Sequence, residues 1–163
     1  MKKNILLIVL LTSIITYGQT DCGFKIDEEK MSKKEKTDTL ITILKKDKFK
    51  ITNKKEDIPK HILEQLICEK GEFSIANPGE NYQNTDVNPN EKLPKRGLVF
   101  LALSKNNLII VYDLNGSGRY VFINFDDTGI KDFFCAISYG IPNINSLKQI
   151  KEVFKNYRKK TKL

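Results

Sequence analysis

The chain has 163 residues, a formal net charge of +8 and a single histidine. One histidine and three cysteines without a CxxC pair argue against a structural zinc site. The basic excess is mostly lysine, and arginine, which binds phosphate through two hydrogen bonds, occurs only at Arg96, Arg119 and Arg158. We therefore expect no nucleic-acid partner. We also expect no metal or cofactor, because a chain of this length can bury roughly two thirds of its unfolded surface by itself.

The N-terminus has the pattern of a secretory signal peptide. Lys2 and Lys3 precede an apolar run at residues 5–15, and Thr16 and Gly18 supply small residues for cleavage before Gln19. The apolar run is too short to cross a bilayer, which takes about 20 residues. The sequence therefore predicts export with removal of residues 1–18, to the periplasm, the cell surface or the medium, and no membrane span after cleavage.

Three cysteines remain after that cleavage, and in an oxidising compartment two of them can pair. Residues 19–36 are charged and carry one aromatic residue, so we expect a mobile segment there. Cys22 lies in it, and the charged Asp21 before the thiol argues against lipid attachment at Cys22. We expect Cys22 to pair with either Cys68 or Cys135, and the apolar patterns around Cys68 and Cys135 predict buried thiols.

A single domain is expected from residue 37 to residue 163. Residues 37–52 alternate β-branched and apolar positions around a lysine-rich turn, which predicts two short strands in a hairpin. Residues 57–71 predict a helix with Asp57 as its N-cap, Pro59 in its first turn and Gly71 at its end. His61 has no second histidine or nucleophile at a helical neighbour position, so it is interpreted as a half-buried structural residue.

Residues 72–96 have no hydrophobic period and are rich in Asn, Pro and Gly. Loops this long inside a compact domain are usually functional or disordered. Asp86, Asn88 and Asn90 stand at alternate positions, as the first ligands of a calcium loop do, but Glu91 replaces the required turn glycine and Gly97 stands where a glutamate is needed. The loop is therefore interpreted as a binding loop, with four candidate contact residues: Tyr82, Asp86, Asn88 and Asn90.

Residues 98–137 contain four strand-like runs separated by short turns, which predicts an antiparallel four-strand meander. A final helix is capped by Asn145 or Ser146 and carries an apolar stripe. The predicted fold is therefore α+β in the order ββαββββα, an antiparallel sheet built from the N-terminal hairpin and the meander and covered by two helices.

The glycine-rich stretch at residues 115–118 predicts a hairpin turn. A phosphate loop would need a helix after the glycines, and a strand pattern follows them instead. The turns of the meander also carry charged residues that paired-carboxylate chemistry could use. These weak catalytic candidates are Asp113, Arg119, Asp126 and Asp127.

The leading hypothesis is a small exported bacterial binding protein of unknown specific function, whose partner is another protein or an envelope component. Its contact surface would use the loop at residues 72–96 and the hairpin tip with Arg119. One alternative is a hydrolase-like enzyme that uses the acidic residues of the hairpin turns. Another is a basic adhesin for anionic polymer or lipid, because the last helix carries a row of basic residues: Lys148, Lys151, Lys155 and Arg158.

Overall fold

The computed structural model describes residues 22–26, 34–85 and 92–160. Within them lie three helices: α1 (Lys34–Lys46), α2 (Lys60–Lys70) and α3 (Leu147–Lys160). The strands are β1 (Lys50–Ile51), β2 (Ile75–Ala76), β3 (Arg96–Leu103), β4 (Asn107–Leu114), β5 (Ser117–Asp126) and β6 (Gly129–Tyr139). A short 3₁₀ turn, Lys55–Asp57, precedes α2.

The six strands form one sheet in the order β1-β3-β4-β5-β6, and β2 pairs with the start of β3. Strands β3 to β6 are an antiparallel meander, and only β2 runs parallel to its neighbour. The predicted α+β class and four-strand meander are confirmed. Strand β4 lies in the interior of the sheet, as its nearly continuous apolar sequence indicates, and seven of its eight residues are buried.

Apolar side chains cover both faces of the sheet. On one face, which we call the disulfide face, α2 packs its Ile62 and Leu66 against the strands. On the other, the two-helix face, α1 and α3 pack together over Phe122 and Phe134. Alternating strand residues therefore enter two separate cores, which explains why both faces of β5 are apolar.

The predicted first strand is wrong, because residues 34–46 form helix α1. Thr37, Leu40 and Ile41 are buried, and Leu44 packs partly against the same core. Their spacing of three and four residues is helical. The burial of this stripe overrides the strand preference of the threonines and isoleucines. Only the second half of the expected hairpin forms a strand, the two-residue β1 on the edge of β3.

The described part of the predicted mobile segment is packed against the domain. Cys22 forms a disulfide with Cys68, with 5.6 Å between the two Cα atoms. Ile26 is buried in the core of the disulfide face, and its backbone N–H donates to the Glu69 carboxylate. The expectation that Cys22 is in the bridge is confirmed, and Cys68 is accordingly not a buried thiol. The predicted signal peptide at residues 1–18 lies outside the described residues.

The helix ends follow local capping chemistry. The N-cap of helix α2 is Pro59, so the predicted N-cap Asp57 is wrong, and Asp57 instead ends the preceding 3₁₀ turn. The helix stops at Gly71, as predicted, and the φ of Gly71, 72°, is left-handed. Helix α3 begins after Ser146, whose hydroxyl accepts the N–H of Gln149 at 3.4 Å. In the described part of the chain, no helix has the length and hydrophobicity that crossing a bilayer requires.

Candidate functional site

Several predicted site residues meet at one end of the sheet, where β4 turns into β5. Two rows of paired residues cross the sheet there. The row on the two-helix face is Gly97, Asp113, Gly118 and Ser138, and the row on the disulfide face is Leu98, Tyr112, Arg119 and Ile137. We call this region the Asn115 end, after the first residue of the β4–β5 turn. It brings the candidates Tyr82, Asp113 and Arg119 into one region.

On the two-helix face, the loop that follows β2 is attached to the sheet through a tyrosine. The Tyr82 hydroxyl donates a 2.9 Å hydrogen bond to Oδ2 of Asp113, which is fully buried. The other carboxylate oxygen, Oδ1, has no hydrogen-bond partner. Burying a carboxylate with a single hydrogen-bond partner costs folding free energy. Asp113 uses its one hydrogen bond to hold the loop at Tyr82, and its burial keeps it from contacting a ligand.

The Tyr82 ring lies directly over Gly97, where a β-carbon would overlap with it. We expect Gly97→Ala to lower the free energy of unfolding by about 1–3 kcal/mol, the usual cost of overpacking. In a Tyr82→Ala background the same glycine substitution should cost almost nothing, because the obstructing ring is gone. Urea unfolding of the four proteins of this cycle measures the coupling. Equal costs of Gly97→Ala in both backgrounds would contradict the contact.

The environment of Tyr82 predicts a loss of folding stability at high pH. Burial, together with the hydrogen bond to the Asp113 carboxylate, raises the pKa of Tyr82 from 10.0 to about 12. Because the folded pKa is above the unfolded one, the stabilisation by Tyr82 is complete below pH 10 and is lost as pH rises through 12. Tyrosinate absorbance of the wild type minus that of Tyr82→Phe should titrate near pH 12. A midpoint near pH 10 would contradict this anchoring.

On the disulfide face, two arginines lie near the same end of the sheet. Arg96 stacks on the Phe73 ring at 4.7 Å from its centroid and reaches the Tyr112 ring at 5.8 Å. Arg119 is half-buried between Tyr112 and Ile137 in the paired row, and no hydrogen bond or ion pair links it to another described residue. The Nη1 of Arg119 is buried without a hydrogen-bond partner, so this face of the Asn115 end carries a positive charge that no carboxylate of the described residues neutralises.

Cys135 lies on the same face but is not a nucleophile. It is the free cysteine of the described residues, and it is buried. Burial raises the pKa of its thiol to about 11, and the positive charges of Arg119 and Lys70 offset only part of that effect. The reactive form of cysteine is the thiolate, so Cys135 serves as a small apolar core residue, as its sequence pattern indicates.

Large apolar side chains are exposed beside Arg119. Ile137 is 57% exposed, Tyr139 is 102% exposed and Ile141 is 63% exposed. Three of the five exposed large apolar residues in the described part of the chain thus fall within five positions. We call residues 137–141 the apolar patch. These residues could not be identified from the sequence, because a strand pattern does not show which of its apolar side chains remain uncovered.

The remaining acidic candidates lie at the opposite end of the sheet. Asp126 and Asp127 belong to the β5–β6 turn, about 26 Å along β5 from the Asn115 end at ~3.3 Å per residue. Asp126 bonds the hydroxyl and N–H of Thr128 within its own turn, and these bonds lower its pKa. Strand β5 therefore separates Asp126 and Asp127 from Asp113 and Arg119, and the four catalytic candidates do not lie in one place.

The long loop is structured in part. Residues 75–76 form β2 on the edge of β3, and the N–H of Gln83 donates to the carbonyl of Pro94. The candidate contacts Asp86, Asn88 and Asn90 lie outside the described residues. Among residues that are described, no cluster of three or more His, Cys, Asp or Glu side chains is placed to hold a metal ion.

A cleft of about 360 Å³ opens between α1 and the two-helix face. It is lined by Lys36, Thr39, Leu40, Ile43, Phe122, Asn124 and Asp132. Its one carboxylate, Asp132, pairs with the Lys36 ammonium, which also donates to the carbonyl of Phe133. The cleft therefore offers no free acid or base, and the Asn115 end remains the better candidate.

The geometry of the Asn115 end combines an arginine without an ion-pair partner among the described residues, an exposed apolar patch and an anchored loop. It lacks an adjacent acid and base pair or an activated nucleophile among the described side chains, which are the parts that hydrolytic chemistry needs. This arrangement is suited to binding. Comparison of the chain with protein-family models, with curated proteins and with solved structures finds no match.

Proposed function

We propose that this protein is an exported binding protein whose ligand contacts the Asn115 end of the sheet. The observation that carries the proposal is the exposed apolar patch, residues 137–141, whose first residue, Ile137, is paired with Arg119 on the neighbouring strand. Contiguous apolar surface on a folded domain marks an interaction site more often than scattered single residues do. A tyrosine and an arginine are also residue types that contribute strongly to binding energy.

The surroundings of the patch support binding by a preformed surface. Strand β6 is hydrogen-bonded to β5 along most of its length, and the loop that carries Tyr82 is attached at Asp113. Side chains held by a sheet lose little conformational entropy when a ligand binds. The ligand class that fits combines an apolar part for the patch with an anionic group for Arg119.

Export is the second part of the proposal. It is supported by the signal-peptide pattern of residues 1–18 and by the Cys22–Cys68 disulfide, since disulfides persist in oxidising compartments. N-terminal sequencing of the protein isolated from cells that produce it should find Gln19 as the first residue. A chain that still begins with Met1 and remains in the reducing cytoplasm would contradict export.

The binding surface is tested with immobilised protein that starts at Gln19, exposed to envelope extract and culture medium and washed at low and high salt. We expect a component that remains through the high-salt wash. It should be lost from a variant that combines Ile137→Ser, Tyr139→Ser and Ile141→Ser, because that variant removes the apolar patch.

The matched control is Ile51→Ser, which removes an exposed isoleucine on β1, at the opposite edge of the sheet. It should retain the component as the wild type does. Equal retention by the patch variant would contradict the proposed surface. Release of every component by salt alone would instead favour lysine-driven adhesion to anionic polymer or lipid.

A further inference from the structure

We propose that the partner binds as an extended acidic peptide segment that adds a strand to the outer edge of β6 at residues 137–139. This inference rests on the proposed function, and it specifies the class of partner. Strand addition supplies main-chain hydrogen bonds for affinity, and side-chain contacts on alternate positions give specificity. Three features of β6 support it. Some of its backbone groups point away from β5, its second half lacks the residues that block strand pairing, and the positive charge of Arg119 lies beside it.

The first feature is the direction of the backbone groups. Strand β6 is the last strand of the sheet, and its other edge pairs with β5. The N–H of Phe133 donates to the Asp132 carboxylate, and its carbonyl accepts from Lys36, so both groups of Phe133 point away from β5. Since this direction alternates along an antiparallel strand, the N–H and C=O of Cys135 and Ile137 also point outward.

The second feature is that only the first half of β6 is protected against another strand. Near the start of β6, the N–H of Ile130 donates to Oε1 of Gln65, so it is not free to pair with another strand. The next two residues, Lys131 and Asp132, are charged. The pairing with β5 is also irregular there. Such devices are how native sheets block edge pairing. Residues 134–139 read FCAISY, without a charge or a proline. The first three of them are buried, and Ile137 and Tyr139 are exposed, so the last part of the edge remains able to accept a strand.

The third feature is the charge beside the open edge. Arg119 is paired with Ile137 across the two strands, on the same face of the sheet. A strand added beyond Ile137 would place a side chain about 10 Å from the Arg119 backbone, two strand spacings away. An arginine and a glutamate side chain together span that distance, and guanidinium and carboxylate form strong paired hydrogen bonds. The net charge of +8 also disfavours a second copy of the chain as the added strand.

The test is selection of short random peptides on the immobilised protein, followed by affinity measurements on the enriched sequences. We expect enrichment of peptides that alternate β-branched residues and carry aspartate or glutamate. Ile137→Pro should weaken them at least tenfold, because proline removes an outward N–H without removing a hydrogen bond to β5. Ile137→Thr, which keeps that N–H, is the matched control and should lose much less affinity.

Arg119→Gln tests the charge without changing the backbone. It should remove the preference for acidic peptides over the same peptides with asparagine or glutamine in place of the acids. The inference is overturned if no peptide is enriched, if the enriched peptides are not acidic, or if Ile137→Pro binds them as the wild type does. Self-association that Ile137→Pro abolishes would also overturn it, in favour of a second copy.

Failure of this inference is separable from failure of the proposed function. If the serine variant of the apolar patch still loses its envelope component while no peptide is selected, the surface binds a ligand of another class. If peptides are selected but depend on neither Ile137 nor Arg119, both the edge and the proposed surface are wrong.

Discussion

Replacing Cys22 and Cys68 together with serine should lower the free energy of unfolding by about 4 kcal/mol. The disulfide closes a loop with a sequence separation of 46 residues, and the chain-entropy relation for a loop of that length gives about this value. Loss of the bond also releases the segment that places Ile26 in the core of the disulfide face. Urea unfolding of the double variant and of the wild type measures the difference.

A reducing agent supplies the control for this prediction. It should destabilise the wild type by a similar amount and leave the double serine variant unchanged. Cys135 remains in both proteins, so its buried thiol does not contribute to the difference. Equal stability of the oxidised wild type and the double variant would show that the bridge does not hold the N-terminal segment to α2.

Phe154→Ala should cost about 3–5 kcal/mol of unfolding free energy, because it removes a fully buried aromatic side chain. The Phe154 ring packs edge-to-face on Phe134, with 5.5 Å between the ring centroids. Alanine is a better helix former than phenylalanine, so the loss comes from packing between α3 and the sheet. Thermal and urea unfolding both report it.

Lys155→Ala is the matched control on the same helix. Lys155 pairs with Glu152 on the surface, and exposed pairs of this kind contribute little. The control should therefore change the unfolding free energy by no more than about 0.5 kcal/mol. Similar losses in the two variants would contradict a specific contribution of the Phe154 ring to packing on the sheet.

The meander could be predicted because the local strand and turn preferences of its sequence match the structure that it adopts. Runs of apolar and β-branched residues are separated by short turns such as the one at residues 115–118, and local turn chemistry alone fixes antiparallel neighbours. Helix α1 could not be identified in the same way. Its threonines and isoleucines favour strands locally, and its helical stripe becomes decisive only when the two-helix face provides a core to pack against.

The candidate site was predictable only in part. The sequence singled out Tyr82, Asp113 and Arg119 as separate loop and turn residues, and the fold brings all three to the Asn115 end. Their contacts depend on which residues of neighbouring strands are paired, and the spacing of residues along the chain does not show this pairing. One local signal was present: Gly97, at the start of a strand, is typical of a place where another group approaches the backbone closely.

The exposed apolar patch could not be found from sequence, because exposure depends on which strand positions the core of the disulfide face covers. Buried Cys135 and exposed Ile137 occupy equivalent alternating positions on β6. Only the structure shows that the core covers the first and leaves the second open. The position that the sequence analysis missed is therefore the one on which the binding proposal now depends.

The most direct test of the account is a photo-reactive amino acid placed at Tyr139 in cells that export the protein. Tyr139 is fully exposed in the centre of the apolar patch, so irradiation should give a discrete cross-linked product. The same amino acid at Ile51 is the control and should give none. A product at Ile51 and none at Tyr139 would contradict a binding surface at the Asn115 end.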